Sequence, residues 1–242
     1  MGAGRILVTD LDGTLLGDDG ALARFASWYA TRRDGWRLVY ATGRSRESLE
    51  RLMRQARLPE PDALSVSVGT ELYDRDGMPW PGWEERFAGW DADQVRRVLA
   101  TIDWLQPQPA AAQTRLKASF NAPGLGTAEL TFLRTALGAA GIDASIVYSS
   151  SLYLDVLPPG SGKGEGATVV ARAWGARAVD VLVFGDSGND LQLFQRGFLG
   201  TIVANALPEL TAGVSPETYR SPYPFADGVL DGIRYWSRLE CS

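Results

Sequence analysis

Two acidic pairs stand at spacings that could do chemistry. Asp10 and Asp12 lie in Asp10-Leu11-Asp12-Gly13-Thr14, directly after the apolar run Ile6-Leu7-Val8, and Asp186 and Asp190 lie in Gly185-Asp186-Ser187-Gly188-Asn189-Asp190, directly after Val181 to Phe184. Alternation along a strand turns residues i and i+2 to one side, and a helix starting near Ser187 would turn Asp186 and Asp190 to one point. Four carboxylates at two strand ends repel one another unless a cation lies between them. Each pair also has a plainer reading: Asp10 and Asp12 as breakers of a strand into a turn, Asp190 as a first-turn residue favoured by the helix dipole. Tyr40-Ala41-Thr42-Gly43-Arg44-Ser45 adds a hydroxyl and amides able to bind an anion, although Thr or Ser before a helix equally serves as a cap. Lys163 brings one positive charge to the head of another helix. Its setting, Gly160-Ser161-Gly162-Lys163-Gly164, is not a nucleotide-binding P-loop, because the pattern's first glycine would fall on Leu157 and its Ser or Thr on Gly164.

Composition narrows the chemistry further. The chain has 242 residues and no histidine, which excludes a Ser-His or Cys-His nucleophile, a phosphohistidine and a His-ligated zinc site. Acid-base work near neutral pH then falls to carboxylates, lysines or tyrosines, and oxygen ligands favour magnesium as the metal. A single cysteine, Cys241, forms no intrachain disulfide and points to a reducing compartment, the cytoplasm. Net charge of -5 argues against nucleic acid or an anionic membrane as principal partner. No apolar run reaches 18 residues, the segment before the first strand is too short for a signal peptide, and Ile6 occupies the Ser/Thr position of a myristoylation signal.

The elements that must position these groups alternate between strand and helix. Strands Arg5 to Thr9, Arg37 to Ala41 and Leu64 to Val68, with helices Ala21 to Arg33 and Ser45 to Ala56, predict a parallel sheet with crossover helices. Gly69 to Tyr73 begins a hairpin. The texture changes between Met78 and Pro109, where Trp80, Trp83 and Trp90 cluster among prolines. Beyond it, a helix over Ala92 to Leu105, a strand over Leu116 to Phe120, a helix over Thr127 to Ala140 and strands over Ser145 to Tyr148 and Leu152 to Leu157 predict a small α+β insertion. After the linker Pro158 to Gly162, helix Lys163 to Trp174, strand Val181 to Gly185, helix Gly188 to Arg196, strand Thr201 to Ala204 and helix Phe225 to Leu239 complete the pattern. The expected fold class is α/β: a Rossmann-like parallel-sheet core over 1–77 and 158–242, with a smaller α+β domain inserted over 78–157.

The order carboxylate pair, hydroxyl, lysine, acidic pair resembles the haloacid dehalogenase superfamily of aspartate-nucleophile phosphatases. Asp10 with Asp12, Thr42, Lys163, and Asp186 with Asp190 match its four motifs over residues 1 to about 75 and 158 to 205. The insertion is similar to the α/β cap of sugar-phosphate phosphatases. Tyr40 to Ser45, Val68-Gly69-Thr70-Glu71, Lys117-Ala118-Ser119 and Gly162-Lys163-Gly164 are similar to sucrose-phosphate phosphatases. Gly13 departs from that pattern, where a larger polar residue is usual, as does Tyr153, where an acidic one is usual.

The resemblance implies hydrolysis of a sugar phosphate with Mg2+ as cofactor, Asp10 forming an aspartyl phosphate and Asp12 acting as acid and then as base, for which Asp12 is expected to start protonated. Mg2+ would bind the Asp10 carboxylate, the Asp12 main-chain carbonyl, Asp186 and Asp190, while Thr42 and Lys163 hold the phosphate. Gly43, Arg44, Ser45, Lys117, Asp155 and Asn189 join Thr42 and Lys163 as expected substrate contacts, although a charged side chain often is only a solvated one. Trp80, Trp83 and Trp90 either stack on a sugar or pack a core. The expected substrate is sucrose 6-phosphate, with a mannosylfructose phosphate, a glycosylglycerate phosphate or a broad range as alternatives; a phosphomutase is a further catalytic reading. From another class, the chain would be a non-catalytic sugar-phosphate-binding regulator of the synthase. Expected partners are the small-molecule sugar phosphate and a glycosyltransferase (synthase) of the same pathway, with no nucleic acid and no membrane.

Overall fold

A computed structural model describes residues 4–239; Cys241 and the Met1-Gly2 start lie outside the described residues. In chain order, β1 (Arg5–Thr9), α1 (Asp19–Ala30), β2 (Trp36–Ala41), α2 (Arg46–Gln55), β3 (Ala63–Val66) and β4 (Glu71–Asp74) come first. Next are α3 (Ala92–Leu99), β5 (Gln106–Pro107), β6 (Ala118–Asn121), α4 (Thr127–Ala139), β7 (Ser145–Ser149) and β8 (Tyr153–Leu157). The chain continues with α5 (Lys163–Ala173), β9 (Val181–Gly185), α6 (Leu191–Phe194), β10 (Leu199–Ile202), α7 (Pro208–Gly213), β11 (Tyr219–Arg220) and α8 (Phe225–Leu239).

Seven strands form one sheet in the order β11-β10-β9-β1-β2-β3-β4, parallel throughout except for the β3–β4 hairpin. The α/β class with a parallel core read from the sequence is the class observed. Parallel strands covered on both faces read as continuous apolar runs, and β1 shows the division of labour. Leu7 packs with Phe25, Leu49 and Val229 of α1, α2 and α8, while Ile6 and Val8 pack on the opposite face with Ala167 and Val170 of α5. β1 lies between β9 and β2 with Thr9 opposite both Phe184 and Tyr40. The carboxyl ends of three strands therefore finish level, and Asp10, Thr42 and Asp186 arrive at one edge.

The second sheet, β5-β6-β8-β7, is antiparallel. Period-two alternation gives it two unlike faces. Phe120, Leu154 and Val156 pack against Val95 and Leu99 of α3 and Leu133 and Leu137 of α4, whereas Ser119, Tyr153 and Asp155 occupy the alternate positions.

Several elements differ from their sequence-based bounds. α3 stops at Leu99, and successive turns, with Ile102 donating to Leu99 and Leu105 to Ile102, return both side chains to the same apolar cluster that a longer helix would have reached. The helix expected from Gly188 begins as a tight turn over Gly188–Asp190 before α6, because the Asp190 carboxylate accepts the Asp186 and Ser187 amides. The tryptophans take the packing role. Trp83 is buried edge-on against Phe87 and donates to the Thr70 carbonyl at 3.1 Å, and Trp80 meets Trp174. Among the described residues no helix is long and apolar enough to cross a membrane.

Candidate active site

At the level strand ends, Lys163 is fully buried and its ammonium donates to Asp10 at 2.7 Å, Asn189 at 2.5 Å and Asp190 at 2.6 Å. Its helix starts on the linker, so the side chain enters beneath β1 and β9 from α5. Asp190 is saturated: one oxygen accepts Lys163 and the other accepts the amides of Asp186 and Ser187 at 3.0 and 3.1 Å. Asp186 accepts the Thr14 hydroxyl at 2.8 Å. Gly13 next to it has φ +84°, and any Cβ there would strike the Asp186 carboxylate, which gives a physical reason for glycine at a position where the resembled enzymes carry a larger residue.

The electrostatics follow from burial. Burial, then repulsion by Asp190 and Asp186 set against the attraction of Lys163, raises the Asp10 pKa well above the carboxylate range. Asp186 is pushed up to about 7, by burial first and by Asp190 second. Burial works against the Lys163 charge, but Asp10 and Asp190 outweigh it and hold the ammonium protonated. Asp10, Asp186 and Asp190 each offer an oxygen within 4.8 Å of the others, all from buried residues. Three buried acidic groups share one lysine, so full ionisation of the set would leave excess negative charge, and its all-oxygen donors suit a hard divalent cation.

Asp12 has a different situation. β1 ends at Thr9, so Asp10 and Asp12 do not share a strand face: Asp10 is buried and Asp12 is exposed. Both Asp12 oxygens accept the fork of Arg44, at 2.7 and 2.6 Å. In this state Asp12 is an acceptor facing Arg44, rather than the proton donor expected from the sequence.

Asp10, Asp12, Gly43, Arg44, Asp186 and Asn189 line one wall of a cleft of about 420 Å³, and Lys117, Asp155 and Tyr153 line the other. The second wall is the polar face of the antiparallel sheet. There Ser119 donates to Asp155 at 2.5 Å, while the buried Lys117 ammonium reaches the same oxygen only at 3.4 Å. Three expected contacts stand back from the cleft lining, among them the fully buried Lys163. Thr42 is buried, its hydroxyl accepting the Arg44 amide at 3.2 Å, and Ser45 caps α2 by accepting the Ser48 amide. Thr14, Gln108, Ser149, Ser150, Ser187 and Asn205 were not singled out from the sequence. Thr14 follows the acidic pair directly and was within reach of that reading; Asn205, which donates to the Gly13 carbonyl at 2.7 Å, lies in a loop without pattern.

Comparison with known proteins is consistent over the whole described chain. Residues 3–237 match the family model of sucrose-6F-phosphate phosphohydrolase. A mannosylfructose-phosphate phosphatase of Agrobacterium fabrum is 34% identical over 239 residues, covering 96% of each chain. Sucrose-phosphatase 1 of Nicotiana tabacum is 32% identical over 250 residues, 96% of this chain and 59% of that one, so this chain spans about three fifths of that relative. The crystal structure of the sucrose-phosphatase from Synechocystis sp. PCC6803, in complex with sucrose and phosphate, superposes with a TM-score of 0.91 at 32% identity, covering 96% of this chain and 98% of that one.

Proposed function

The chain belongs to the sucrose-6F-phosphate phosphohydrolase family and is a sugar-phosphate phosphatase of the haloacid dehalogenase superfamily; from that premise we propose that it hydrolyses sucrose 6-phosphate to sucrose through an aspartyl phosphate on Asp10. The observation that carries the reading is the buried Asp10 carboxylate, 2.7 Å from the Lys163 ammonium, in a cleft whose opposite wall bears sugar-type polar groups.

An Asp10 oxygen attacks phosphorus, the bond from phosphorus to the sugar oxygen breaks, and Asp12 gives that oxygen a proton. Water then attacks the aspartyl phosphate and yields its proton to Asp12, and phosphate leaves with the Asp10 carboxylate restored. Entry of substrate displaces Arg44 from Asp12 and frees the guanidinium for the phosphate, which it can grip with two parallel N–H donors. The Lys163 charge partly offsets the burial that raises the Asp10 pKa and so favours its ionised form, and Thr42 completes the phosphate cradle. Magnesium would be held by the Asp10 and Asp186 carboxylates and the Asp12 main-chain carbonyl, with Asp190 completing the acidic set; when bound it polarises a phosphate oxygen and offsets the charge of nucleophile and substrate. Lys117 and Asp155 take the sugar hydroxyls.

A second reading within the same chemistry is a mannosylfructose phosphate as substrate, favoured by the relative that matches this chain over 96% of both lengths. Phosphate release from sucrose 6-phosphate, mannosylfructose phosphate and a panel of monosaccharide phosphates, with magnesium and again with a chelator, tests both. Fastest release from sucrose 6-phosphate supports the first reading, and no release from any sugar phosphate overturns both.

A further inference from the structure

The hairpin joining β7 to β8 ends in a turn over Ser149 to Leu152, closed by the Leu152 amide donating to the Ser149 carbonyl at 3.2 Å. Its two central residues, Ser150 and Ser151, have φ of +55° and +50°. This mirror-image turn suits the twist of a hairpin and is ordinarily built from Asn-Gly, since a left-handed backbone is unfavourable for residues with a Cβ. Serine at both positions is tolerated only where something else holds the turn.

Part of that support is local, the Gly124 amide donating to the Ser151 carbonyl at 3.0 Å and the Ala122 amide to the Leu152 carbonyl at 2.7 Å; the rest comes from the parallel-sheet core. The Ser150 amide donates to the Glu209 carboxylate of α7 at 2.7 Å. Beside it, the Tyr148 carbonyl comes so close to Gly188 that a Cβ there would collide with it, and the Glu209 side chain flanks the same point. The hairpin thus rests on the loop that follows β9. Ser149, Ser150 and Tyr153 of this hairpin line the substrate cleft together with Ser187 and Asn189 of that loop.

We infer that Glu209 is a positioning residue: by accepting the Ser150 amide it holds the hairpin wall over the phosphoryl site in the arrangement that binds the sugar. The inference rests on the sugar-phosphate reading for its kinetic consequence but not for its structural one. Glu209 does not line that cleft; it lies beside it, against Gly188 and in the lining of a neighbouring cavity. Its loss leaves Asp10, Lys163 and Asp190 in place and releases only the opposite wall.

The test pairs Glu209→Ala with Glu209→Gln, whose amide oxygen still accepts the Ser150 N–H. In Glu209→Ala, hydrogen exchange at the Ser150 amide accelerates about tenfold, the scale of one hydrogen bond to a charged acceptor. kcat/KM for the preferred sugar phosphate falls by a similar factor, carried by KM, while hydrolysis of p-nitrophenyl phosphate, too small to span the cleft, stays within about twofold. Glu209→Gln retains both parent properties. Unchanged Ser150 exchange in Glu209→Ala overturns the inference, as does an equal loss on both substrates, or a Gln variant as impaired as the Ala variant. A parent without sugar-phosphate activity would defeat the functional reading alone, because the exchange measurement still decides the latch.

Discussion

The two walls of the cleft hold their charges in opposite ways. On the parallel-sheet side Lys163 is fully buried and makes three bonds of 2.5 to 2.7 Å, and Asp190 has no oxygen left unengaged. On the antiparallel side Lys117 is also buried, yet its ammonium has one carboxylate contact at 3.4 Å, and Tyr153 stands 43% exposed. A buried polar network that is fully satisfied is rigid, whereas one that is partly satisfied leaves capacity for a ligand to fill. The contrast fits the proposed division of labour: the chemistry of a phosphate monoester is the same for every substrate and suits groups fixed in advance, while a varying sugar suits groups that complete their bonding on its arrival.

The strongest way to break this comparison is Asp10→Asn. Asparagine keeps the size and can still accept from Lys163, so the wall stays built while the proposed nucleophile is lost. Turnover of sugar phosphate and of p-nitrophenyl phosphate should fall together, to below roughly 10⁻⁴ of the parent, the scale seen when covalent nucleophiles are removed. Retention of even a few per cent of activity, measured as released phosphate, would move the chemistry away from the fixed wall.

A smaller effect separates the walls by charge. The pKa of Asp186, pushed up to about 7, exceeds that of a carboxylate in an unfolded chain, near 3.9. The folded chain therefore keeps a proton that the unfolded chain has released, so this group's contribution to stability is full below about pH 4 and is lost as the pH rises through about 7. A divalent cation reverses the loss by binding the ionised set, and so stabilises more at pH 8 than at pH 5. At a hundredfold excess over its Kd the gain is about 2.7 kcal/mol, or roughly 5–10 °C in Tm for a chain of this length. Melting curves with magnesium and with chelator at the two pH values check this; equal shifts at both would remove the acidic set as the binding site.

The fixed wall was also the legible one. Its residues stand where a short apolar run gives way to an acidic or helix-starting segment, so Asp10, Lys163 and Asp186 were placed by local pattern together with the level ends of parallel strands. Asp12 shows the limit: strand alternation predicted a shared face, but β1 ends before the pair and Arg44, 32 residues away in sequence, decides where Asp12 points. On the other wall, Lys117 and Asp155 meet through the pairing of Ser119 with Asp155 across β6 and β8, a register that no single segment encodes. Gln108 lies in a proline-rich stretch without periodicity, and Glu209 acts through a backbone amide of a distant hairpin. Such contacts are set by tertiary packing, to which local spacing is blind.

The smallest expected effect is the most informative about substrate. Tyr153 shares its sheet face with Asp155 and exposes its ring at the cleft, where a pyranose can lie flat against it. A stacking contact of this kind is worth about 0.5–1.5 kcal/mol, so Tyr153→Ala should lower kcat/KM for a disaccharide phosphate by roughly two- to tenfold and leave monosaccharide phosphates unchanged, because they do not reach that far from the phosphate. Tyr153→Glu then asks a sharper question, since it installs the acidic residue usual in the resembled sucrose-phosphate phosphatases. If the ring selects the sugar, the ratio of kcat/KM for sucrose 6-phosphate to that for mannosylfructose phosphate shifts between parent and Tyr153→Glu by more than the loss common to both. A ratio that stays constant, with both substrates falling in step, would make Tyr153 a general support and return the choice of sugar to Lys117, Asp155 and Gln108.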